Sequence, residues 1–301
     1  MRESIRNISL AQYTTYRIGG VAREAYFPET AEELRDILSS LRKSRTEWFV
    51  LGGGSNVLVG DGFWDGAVII TTRMDRWRAG PDRLVCGAGL PSSCAAEIAL
   101  DHGKTGLEFL YRLPGTIGGA LAGNARYDER NVSDPLLSVI AVHPEEGIRT
   151  FRKEDIDFSY KHTSLTAGGW IICELAFAWS DDDLETISRR MAEIERDRTE
   201  GGHFSSPSCG CVFKNDYARN IQAGCLIDSL GLKGLSEGGA KVADFHANFI
   251  INTGYATARD VLTLIERIER IVRERTGIEL EREVRLAGNF EKREPQMNTD
   301  K

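Results

Sequence analysis

The segment that most constrains this chain lies at residues 106–127 and reads GLEFLYRLPGTIGGALAGNARY. It places five glycines and one proline within a largely apolar run. Glycine permits tight turns and close approach of the backbone to another group, and inside a helix it costs about 1 kcal/mol relative to alanine. The segment therefore predicts backbone that approaches another group closely, rather than an ordinary helix.

A second segment of this kind, LGGGSN, occupies residues 51–56 and follows an apolar run at 48–51. Successive backbone N–H groups in such a turn can hold a pyrophosphate. The segment is not a Rossmann fingerprint, because Val57 stands where the third glycine belongs, and no Gly-Lys-Ser/Thr of a P-loop follows. Alone it is compatible with a phosphate site or with a plain tight turn. Two such segments together favour a large phosphate-bearing cofactor.

Composition narrows the class of protein. The chain has 301 residues, of which 41% are hydrophobic and 28% charged, and its net charge is −7. These values predict a soluble globular protein of about two domains. We expect no nucleic-acid partner because basic residues form no block, and no membrane span because no apolar run reaches about 18 residues.

The N-terminus and the cysteines indicate a cytoplasmic location. The first twelve residues lack the apolar core of a signal peptide, and the six cysteines are spread along the chain as expected for reduced thiols. Cys209 and Cys211 form a lone C-x-C without a second Cys/His pair, so we predict no metal site.

Hydrophobic periodicity predicts alternating helices and strands. Thr30 and Thr257 are predicted to begin helices as capping residues, and Gly277 to end the second of these. Further helices are expected at 91–102, about 183–199 and 226–230, and strands at 25–27, 48–51, 67–71, 84–89, 136–142, 170–177, 248–252 and 279–286.

Several motifs in collinear order resemble the UDP-N-acetylenolpyruvoylglucosamine reductase (MurB) family. They are TTYRIGG at 14–20, LGGGSNVLVGDG at 51–62 and GLEFLYRLPGTIGGALAGNA at 106–125. In the second half, PSCGCVFKN at 207–215 is similar to the family's PSAGS-x-FKNP, and LEREVR at 280–285 to its LExEVR. The resemblance covers about residues 12–288. Only seven residues separate Ser164 from Ile172, which resembles the shorter type of the family that lacks a substrate-capping tyrosine loop.

The resemblance implies an α+β fold of the vanillyl-alcohol-oxidase-like (PCMH-type) FAD-binding class. Residues 1–180 are then an FAD-binding domain with subdomains at about 1–72 and 73–180. Residues 181–290 form a C-terminal α+β substrate-binding domain, and 291–301 a polar tail. The boundary falls at the acidic run 180–183.

The resemblance also implies a reaction. NADPH reduces FAD, the flavin N5 delivers a hydride to the enolpyruvyl methylene carbon of UDP-GlcNAc-enolpyruvate, and a proton reaches the neighbouring carbon to give UDP-N-acetylmuramate. Since no histidine precedes His102, we expect FAD to be bound non-covalently. A flavin oxidoreductase with another substrate and an inactive flavin- or nucleotide-binding homologue remain as alternatives.

Three positions carry the implied catalysis. Cys211 stands where the family has its proton-donating serine, Lys161 where it has an arginine, and Glu283 where it has its glutamate. Without the resemblance, Cys211 is a small packed residue, Lys161 a solvated loop lysine and Glu283 part of a salt-bridged surface strand. On a regular strand at 279–286, Glu283 and Arg285 would share a face and both point to the site.

The remaining assignments follow the matching motifs. Substrate binding falls to Tyr160, Lys214 and Asn215, whereas Arg126 is either a ligand contact or a surface residue. The partner is a UDP-sugar, and the chain is a monomer or a weak homo-oligomer. Cofactor binding is assigned to Tyr16, Arg17, Gly52, Gly53, Gly54, Ser55, Asn56, Pro114, Gly115, Thr116, Gly118, Gly119, Asn124, Ala125 and Arg285.

Overall fold

The computed structural model describes residues 4–290, which form two compact units. The first unit consists mainly of residues 25–53 and 68–203. The second unit consists of residues 5–24, 54–67 and the described chain from residue 204 onward. Two strands, Val21–Tyr26 and Trp64–Ile70, contribute residues to both units.

The first unit is built on a five-stranded antiparallel sheet. Its two long strands, Leu136–His143 and Ile171–Ala178, pair with each other through two register shifts. Both were predicted from apolar runs, and most residues of the second are buried. The order across the sheet is Gly147–Arg152, Leu136–His143, Ile171–Ala178, Arg83–Gly87 and Trp77–Ala79.

Shorter elements complete the first unit. Its helices are α1 (Ala31–Lys43), α2 (Ser92–Asp101), α3 (Ile117–Ala122), α4 (Ser164–Ala167) and α5 (Leu184–Glu200). Single 3₁₀ turns lie at Thr71–Arg73, Glu108–Leu110 and Lys153–Asp155. The remaining strands are Trp48–Leu51, Lys104–Thr105, Arg126–Tyr127, Arg130–Asn131, Phe158–Ser159, His162–Thr163 and Ser180–Asp181.

Local capping explains where helix α1 begins. The Thr30 hydroxyl accepts a hydrogen bond from the Glu33 backbone N–H at 3.2 Å, as predicted. The Glu33 carboxylate accepts from the backbone N–H of Glu29 at 2.8 Å, one residue before the cap. The N–H groups in the first turn of a helix have no hydrogen-bond partner within the helix. The Thr30 hydroxyl supplies one for Glu33, and the Glu33 carboxylate holds the backbone just before the helix.

The second unit has a four-stranded antiparallel sheet and two helices, α6 (Ala223–Ser229) and α7 (Ala258–Thr276). The sheet order is Ser208–Cys211, Phe249–Asn252, Ala240–Val242 and Ser236–Glu237. Its other elements are the strands Ile5–Ser9, Val57–Val59 and Arg285–Ala287 and the 3₁₀ turn Ala11–Tyr13.

Helix α7 is the best-predicted element of the second unit. Thr257 and Asp260 form a complete capping box, and Gly277 ends the helix in the left-handed region with φ 71°. The predicted apolar stripe is buried, as at Val261, Ile265 and Ile268. It packs into a hydrophobic cluster that lies entirely within this unit, and a separate cluster fills the first unit.

The predicted strand at 279–286 is wrong. The structure has an isolated bridge between Arg282 and Phe213 and a three-residue strand, Arg285–Ala287, parallel to Val57–Val59. The chain bends between these two pairings because each has a different partner. Glu283 and Arg285 therefore do not alternate along one regular strand.

The predicted domains and the compact units divide the chain differently. Helix α5, expected to open the C-terminal domain, belongs to the first unit, and residues 5–24 belong to the second. The boundaries at 72, 180 and 290 stay predictions, and the tail at 291–301 lies outside the described residues. No helix among residues 4–290 is both long and apolar enough to cross a membrane.

Candidate active site

The predicted site residues fall into two groups, one in each unit. The first unit holds Gly52, Gly53, the 114–119 segment, Asn124, Ala125, Tyr160 and Lys161. The second unit holds Tyr16, Arg17, Gly54, Ser55, Asn56, Cys211, Lys214, Asn215, Glu283 and Arg285.

In the first unit, the two glycine-rich segments contact each other backbone to backbone. A Cβ atom on Gly52 would lie 2.7 Å from the Thr116 hydroxyl oxygen. A Cβ atom on Gly53 would lie 2.6 Å from the Cα atom of Gly115. Such distances are well inside van der Waals contact. Glycine is therefore required at Gly53, where the neighbour is backbone, whereas a side chain at Gly52 would have to displace the Thr116 hydroxyl.

The segment 114–119 is itself fixed against the rest of the first unit. Thr116 caps α3 by accepting a hydrogen bond from the Gly119 N–H at 3.4 Å. The Gly118 N–H donates to the Ala88 carbonyl at 2.9 Å, and a Cβ atom on Gly118 would lie 2.5 Å from the Ala88 Cβ. The predicted turn is thus held in one conformation by its own packing.

Asn124 supports the turn that carries Lys161. Its side-chain amide donates to the Ser159 carbonyl at 3.1 Å, and its Oδ1 accepts from the Ser133 N–H at 3.3 Å. Ser159 and His162 pair as the ends of a hairpin whose two-residue turn is Tyr160-Lys161. These contacts hold the Asn124 side chain in place, and its role in cofactor binding stays a prediction.

Lys161 occupies a strained backbone position. Its φ is 57°, in the left-handed region that non-glycine residues rarely adopt, and its Nζ lies 5.8 Å from the centre of the Tyr160 ring. Such positions cost about 1–3 kcal/mol and cluster at functional sites. Positive φ is common at the central residues of tight turns, so the hairpin accounts for this conformation, and a catalytic role of Lys161 stays a prediction.

In the second unit, Gly54 is the most restricted of the glycines in LGGGSN. Its φ is 62°, and a Cβ atom would lie 2.1 Å from the Tyr13 carbonyl oxygen. The Gly54 carbonyl accepts from the Thr15 N–H at 3.2 Å, and the Thr15 hydroxyl donates to the Ser208 carbonyl at 2.6 Å. Gly54 thereby joins the N-terminal segment to the strand that ends at Cys211.

Replacing Gly54 with alanine is expected to lower the free energy of unfolding by more than about 2 kcal/mol, because it combines left-handed strain with a backbone clash. Urea denaturation monitored by tryptophan fluorescence measures the loss. Gly80→Ala is the matched control, since its Cβ would meet nothing closer than 3.5 Å. Equal stability of the two variants would contradict the packing argument.

Cys211 and Glu283 lie on neighbouring segments of the second unit. The strand Ser208–Cys211 shifts register against Phe249–Asn252, with Gly210 at φ 78° within the shift. The carbonyl of Val212 accepts the Glu283 N–H at 2.7 Å and the Val284 N–H at 3.3 Å. The residue directly after Cys211 is thus hydrogen-bonded to Glu283.

Asn56 connects the glycine-rich loop to the same segment. Its side-chain amide donates to the Glu283 carbonyl at 3.3 Å, and its own carbonyl accepts the Arg285 N–H at 3.1 Å. The Oδ1 atom of Asn56 is buried and meets no hydrogen-bond donor within residues 4–290. A buried acceptor left unpaired is costly, so this atom fits an N–H or O–H group of a bound ligand.

Tyr16 and Cys209 are core residues of the second unit. Burial, and next the neighbouring Cys209, raises the pKa of Tyr16 well above its usual value. Burial raises the pKa of Cys209 to about 12. Both groups are neutral at physiological pH. Of the C-x-C pair, only Cys211 is partly exposed, so only its thiol is placed to react.

The predicted substrate-binding residues of the second unit make contacts within the protein. The Lys214 ammonium pairs with the exposed Glu281 carboxylate at 2.6 Å. The Asn215 Oδ1 accepts the N–H of Ala223, the first residue of α6, at 3.0 Å. A ligand phosphate would have to displace or share the contact made by Lys214. Arg285 is exposed.

Arg126, whose role the sequence left open, donates from its guanidinium to the Asp128 carbonyl in the first unit. This contact fixes a short hairpin that also carries Tyr127. The structure thus gives Arg126 a local structural contact. Among residues 4–290, no group of three or more His, Cys, Asp or Glu side chains is arranged to hold a metal ion.

Sequence reasoning missed Asn248, which fixes the segment after Cys211. Its side-chain amide pairs with both backbone groups of Phe213, accepting the N–H at 2.9 Å and donating to the carbonyl at 2.8 Å. Its backbone carbonyl accepts the Val212 N–H at 2.9 Å. A strand was predicted at 248–252, but nothing local in the sequence indicated that Asn248 would pair with a residue 35 positions upstream.

Asn248→Asp is expected to slow the substrate reduction that the resemblance implies about tenfold, because the new carboxylate would place an oxygen against the Phe213 carbonyl and loosen the Cys211 segment. Flavin reduction by NADPH should stay within about twofold of wild type. The control is Asn252→Asp, which removes an equally buried amide that donates to the Tyr16 carbonyl. Equal slowing of substrate reduction by both variants, at equal loss of stability, would show that Asn248 is only structural.

Comparisons with known families agree with the motifs. A model of the UDP-N-acetylenolpyruvoylglucosamine reductase C-terminal domain matches residues 202–287. A model of an FAD binding domain matches residues 23–150. The two models together cover the segments that contain the glycine-rich loops, Cys211 and Glu283.

Relatives match over nearly the whole chain. UDP-N-acetylenolpyruvoylglucosamine reductase of Geobacter metallireducens is 38% identical over 288 residues, covering 95% of this chain and 94% of that protein. The reductase of Borreliella burgdorferi is 37% identical over 286 residues, covering 93% of each.

A solved structure also matches. The crystal structure of UDP-N-acetylenolpyruvylglucosamine reductase (MurB) from Thermus caldophilus superimposes with a TM-score of 0.80 at 34% identity. The match covers 95% of this chain and 99% of that chain. The predicted FAD-binding fold with a C-terminal domain is confirmed by these matches. The chain therefore belongs to the UDP-N-acetylenolpyruvoylglucosamine reductase (MurB) family.

Proposed function

We propose that this chain reduces UDP-GlcNAc-enolpyruvate to UDP-N-acetylmuramate in peptidoglycan precursor synthesis, with NADPH as reductant and FAD as cofactor. The observation that carries the proposal is the placement of Cys211 and Glu283 on segments joined through Val212 and Asn56. Backbone hydrogen bonds bring the segments of the two residues together, which supports a shared role for a thiol acid and a carboxyl group in protonating a substrate carbon. The substrate class is taken from the chain's similarity to UDP-N-acetylenolpyruvoylglucosamine reductases.

The residues of the two glycine-rich segments fit the cofactor. The model of an FAD binding domain matches residues 23–150, which contain both segments. The unpaired Oδ1 of Asn56 offers a buried acceptor. When bound, FAD takes electrons from NADPH and supplies the hydride that adds to the enolpyruvyl methylene carbon. No covalent link to the protein is needed for this role.

Cys211 donates the proton. As a class, thiols give up a proton far more readily than the serine hydroxyl of the family pattern. The strand pairing up to Cys211 and the hydrogen bonds of Val212 hold the backbone on both sides of this residue in place. The same thiol makes the enzyme sensitive to oxidation, since a partly exposed cysteine forms a sulfenic acid with peroxide.

Glu283 and Lys161 stabilise the charge that develops on the substrate carboxylate. Hydride addition to an enol ether conjugated with a carboxylate moves negative charge onto that carboxylate. An acid and a cation that contact this carboxylate would lower the barrier, because the charge exists only in the transition state. Lysine supplies one positive charge but cannot form the two parallel hydrogen bonds that arginine makes to a carboxylate. It therefore binds the carboxylate more weakly than the arginine of the family pattern.

The proposal also covers the cellular location, the oligomeric state and the residues that bind the UDP-sugar. The enzyme acts in the cytoplasm, where its six cysteines stay reduced, and it works as a monomer or a weak homo-oligomer. Tyr160, Lys214 and Asn215 contribute to binding of the UDP-sugar, and nucleic acid is not a partner.

The test is to measure the two half-reactions separately. NADPH should bleach the flavin under anaerobic conditions, and UDP-GlcNAc-enolpyruvate should restore its absorbance. Bleaching by NADPH without recovery on adding that substrate would favour an oxidoreductase of the same fold with another substrate. Flavin that binds but is never reduced would favour an inactive binding protein.

A further inference from the structure

Arg198, near the end of helix α5, is a buried cation that forms no ion pair with a carboxylate among residues 4–290. Only 6% of the residue is exposed. Its Nε and Nη2 atoms are buried and meet no hydrogen-bond acceptor among the described residues. None of the roles argued above uses this side chain, and it lies wholly within the first unit.

The surroundings of Arg198 fix its orientation. The guanidinium carbon lies 4.6 Å from the centre of the Tyr127 ring, within the range of a cation–π contact. The Tyr127 hydroxyl donates to the Asp197 carboxylate at 2.9 Å, which holds the ring in place. The nearest acidic neighbour along the helix is therefore hydrogen-bonded to Tyr127.

The charge of Arg198 persists despite its position. Burial lowers its pKa, whereas neighbouring Tyr127 and Asp197 raise it, and arginine keeps its proton at neutral pH in proteins. An unpaired buried charge strongly destabilises a protein. We therefore expect a buried arginine to be kept where another group pairs with its charge. The partner must come from outside the described chain.

The unpaired atoms define the chemistry of that partner. Nε and Nη2 form one edge of the planar guanidinium, with two parallel donors at the spacing of two oxygens of a carboxylate or phosphate. We propose that the Nε–Nη2 edge of Arg198, with Tyr127 stacked on the guanidinium, is a binding site for a phosphate or carboxylate oxyanion. Assignment of that oxyanion to a diphosphate of FAD or of the UDP-sugar rests on the proposed function.

The test of the anion site adds inorganic phosphate to the full chain, both loaded with FAD and after FAD has been removed, because bound FAD would exclude phosphate if its own diphosphate filled the site. Phosphate should raise the Tm of wild type above that in sodium chloride of equal ionic strength, and should fail to do so for Arg198→Gln. Arg198→Lys, which keeps the charge without the fork, should show a smaller rise than wild type. The matched control is Arg196→Gln, which removes an exposed arginine of the same helix and should respond like wild type.

Two outcomes overturn the anion site. One is an equal phosphate-induced rise in wild type and Arg198→Gln. The other is a higher Tm for Arg198→Gln than for wild type without phosphate and no response of wild type to phosphate, which marks Arg198 as an uncompensated buried charge.

Two further arms identify the source of the oxyanion. Calorimetry with UDP and equilibrium dialysis with FAD compare wild type and Arg198→Gln. A loss of about tenfold or more for UDP alone assigns the site to the sugar nucleotide, and the same loss for FAD alone assigns it to the cofactor. Unchanged affinity for both rejects the diphosphate assignment. The phosphate arm needs no turnover, so failure of the proposed function would leave its result intact.

Discussion

Cys211→Ala is expected to slow reduction of UDP-GlcNAc-enolpyruvate at least about 100-fold, the usual size of one acid–base contribution. Reduction of the flavin by NADPH should stay within about twofold of wild type, because no proton is passed to substrate carbon in that step. Stopped-flow absorbance in anaerobic buffer measures both rates on the same preparation. Alanine removes the acid but disturbs packing little, since Cys211 is only partly buried.

Two companion variants separate chemistry from structure. Cys211→Ser restores the family's usual acid and should keep substantial activity. Cys209→Ala removes the other thiol of the C-x-C pair, whose pKa burial raises to about 12, and should leave both half-reactions near wild type. If Cys211→Ala instead slowed both half-reactions equally, the thiol would be a packing group and not the proton donor.

Local signals in the sequence predicted those elements that depend on near neighbours. The capping box of Thr257 and Asp260 and the apolar stripe of α7 lie within one helix, so sequence spacing alone determines them. The strand predicted at 279–286 failed because its partners, Phe213 and Val57–Val59, are distant in sequence. Alternation of polar and apolar residues indicates that a strand is possible. It does not show where the chain changes from one pairing partner to another.

The glycine-rich segments illustrate the same limit at the site. Their composition predicted that backbone would approach something closely, and the structure shows that Gly53 approaches Gly115 and Gly54 approaches Tyr13. Asn248 and Arg198 gave no signal of the roles argued for them. The role of Asn248 depends on buried hydrogen bonds to a residue 35 positions away in the sequence. The role of Arg198 depends on two buried guanidinium nitrogens that meet no acceptor among the described residues.

The second large effect is expected for Glu283. Glu283→Gln should slow substrate reduction about 100-fold, comparable to loss of one preorganised group at a developing oxyanion, and leave flavin reduction unchanged. The side chains are nearly isosteric, and the backbone of Glu283 is held independently by Val212 and Asn56. The change therefore removes an ionisable group without moving the segment.

The effect should appear in the rate constant at saturating substrate and hardly in substrate affinity, because Glu283 acts on charge that is absent from the ground state. Single-turnover reoxidation of reduced flavin over a range of substrate concentrations separates the two quantities. Glu279→Gln, an exposed glutamate four residues earlier, is the matched control and should behave like wild type. Wild-type reoxidation in Glu283→Gln would leave Glu283 as a structural residue, whereas a pure loss of affinity would make it a binding residue. Either result would remove it from the chemical step and leave the developing charge to Lys161.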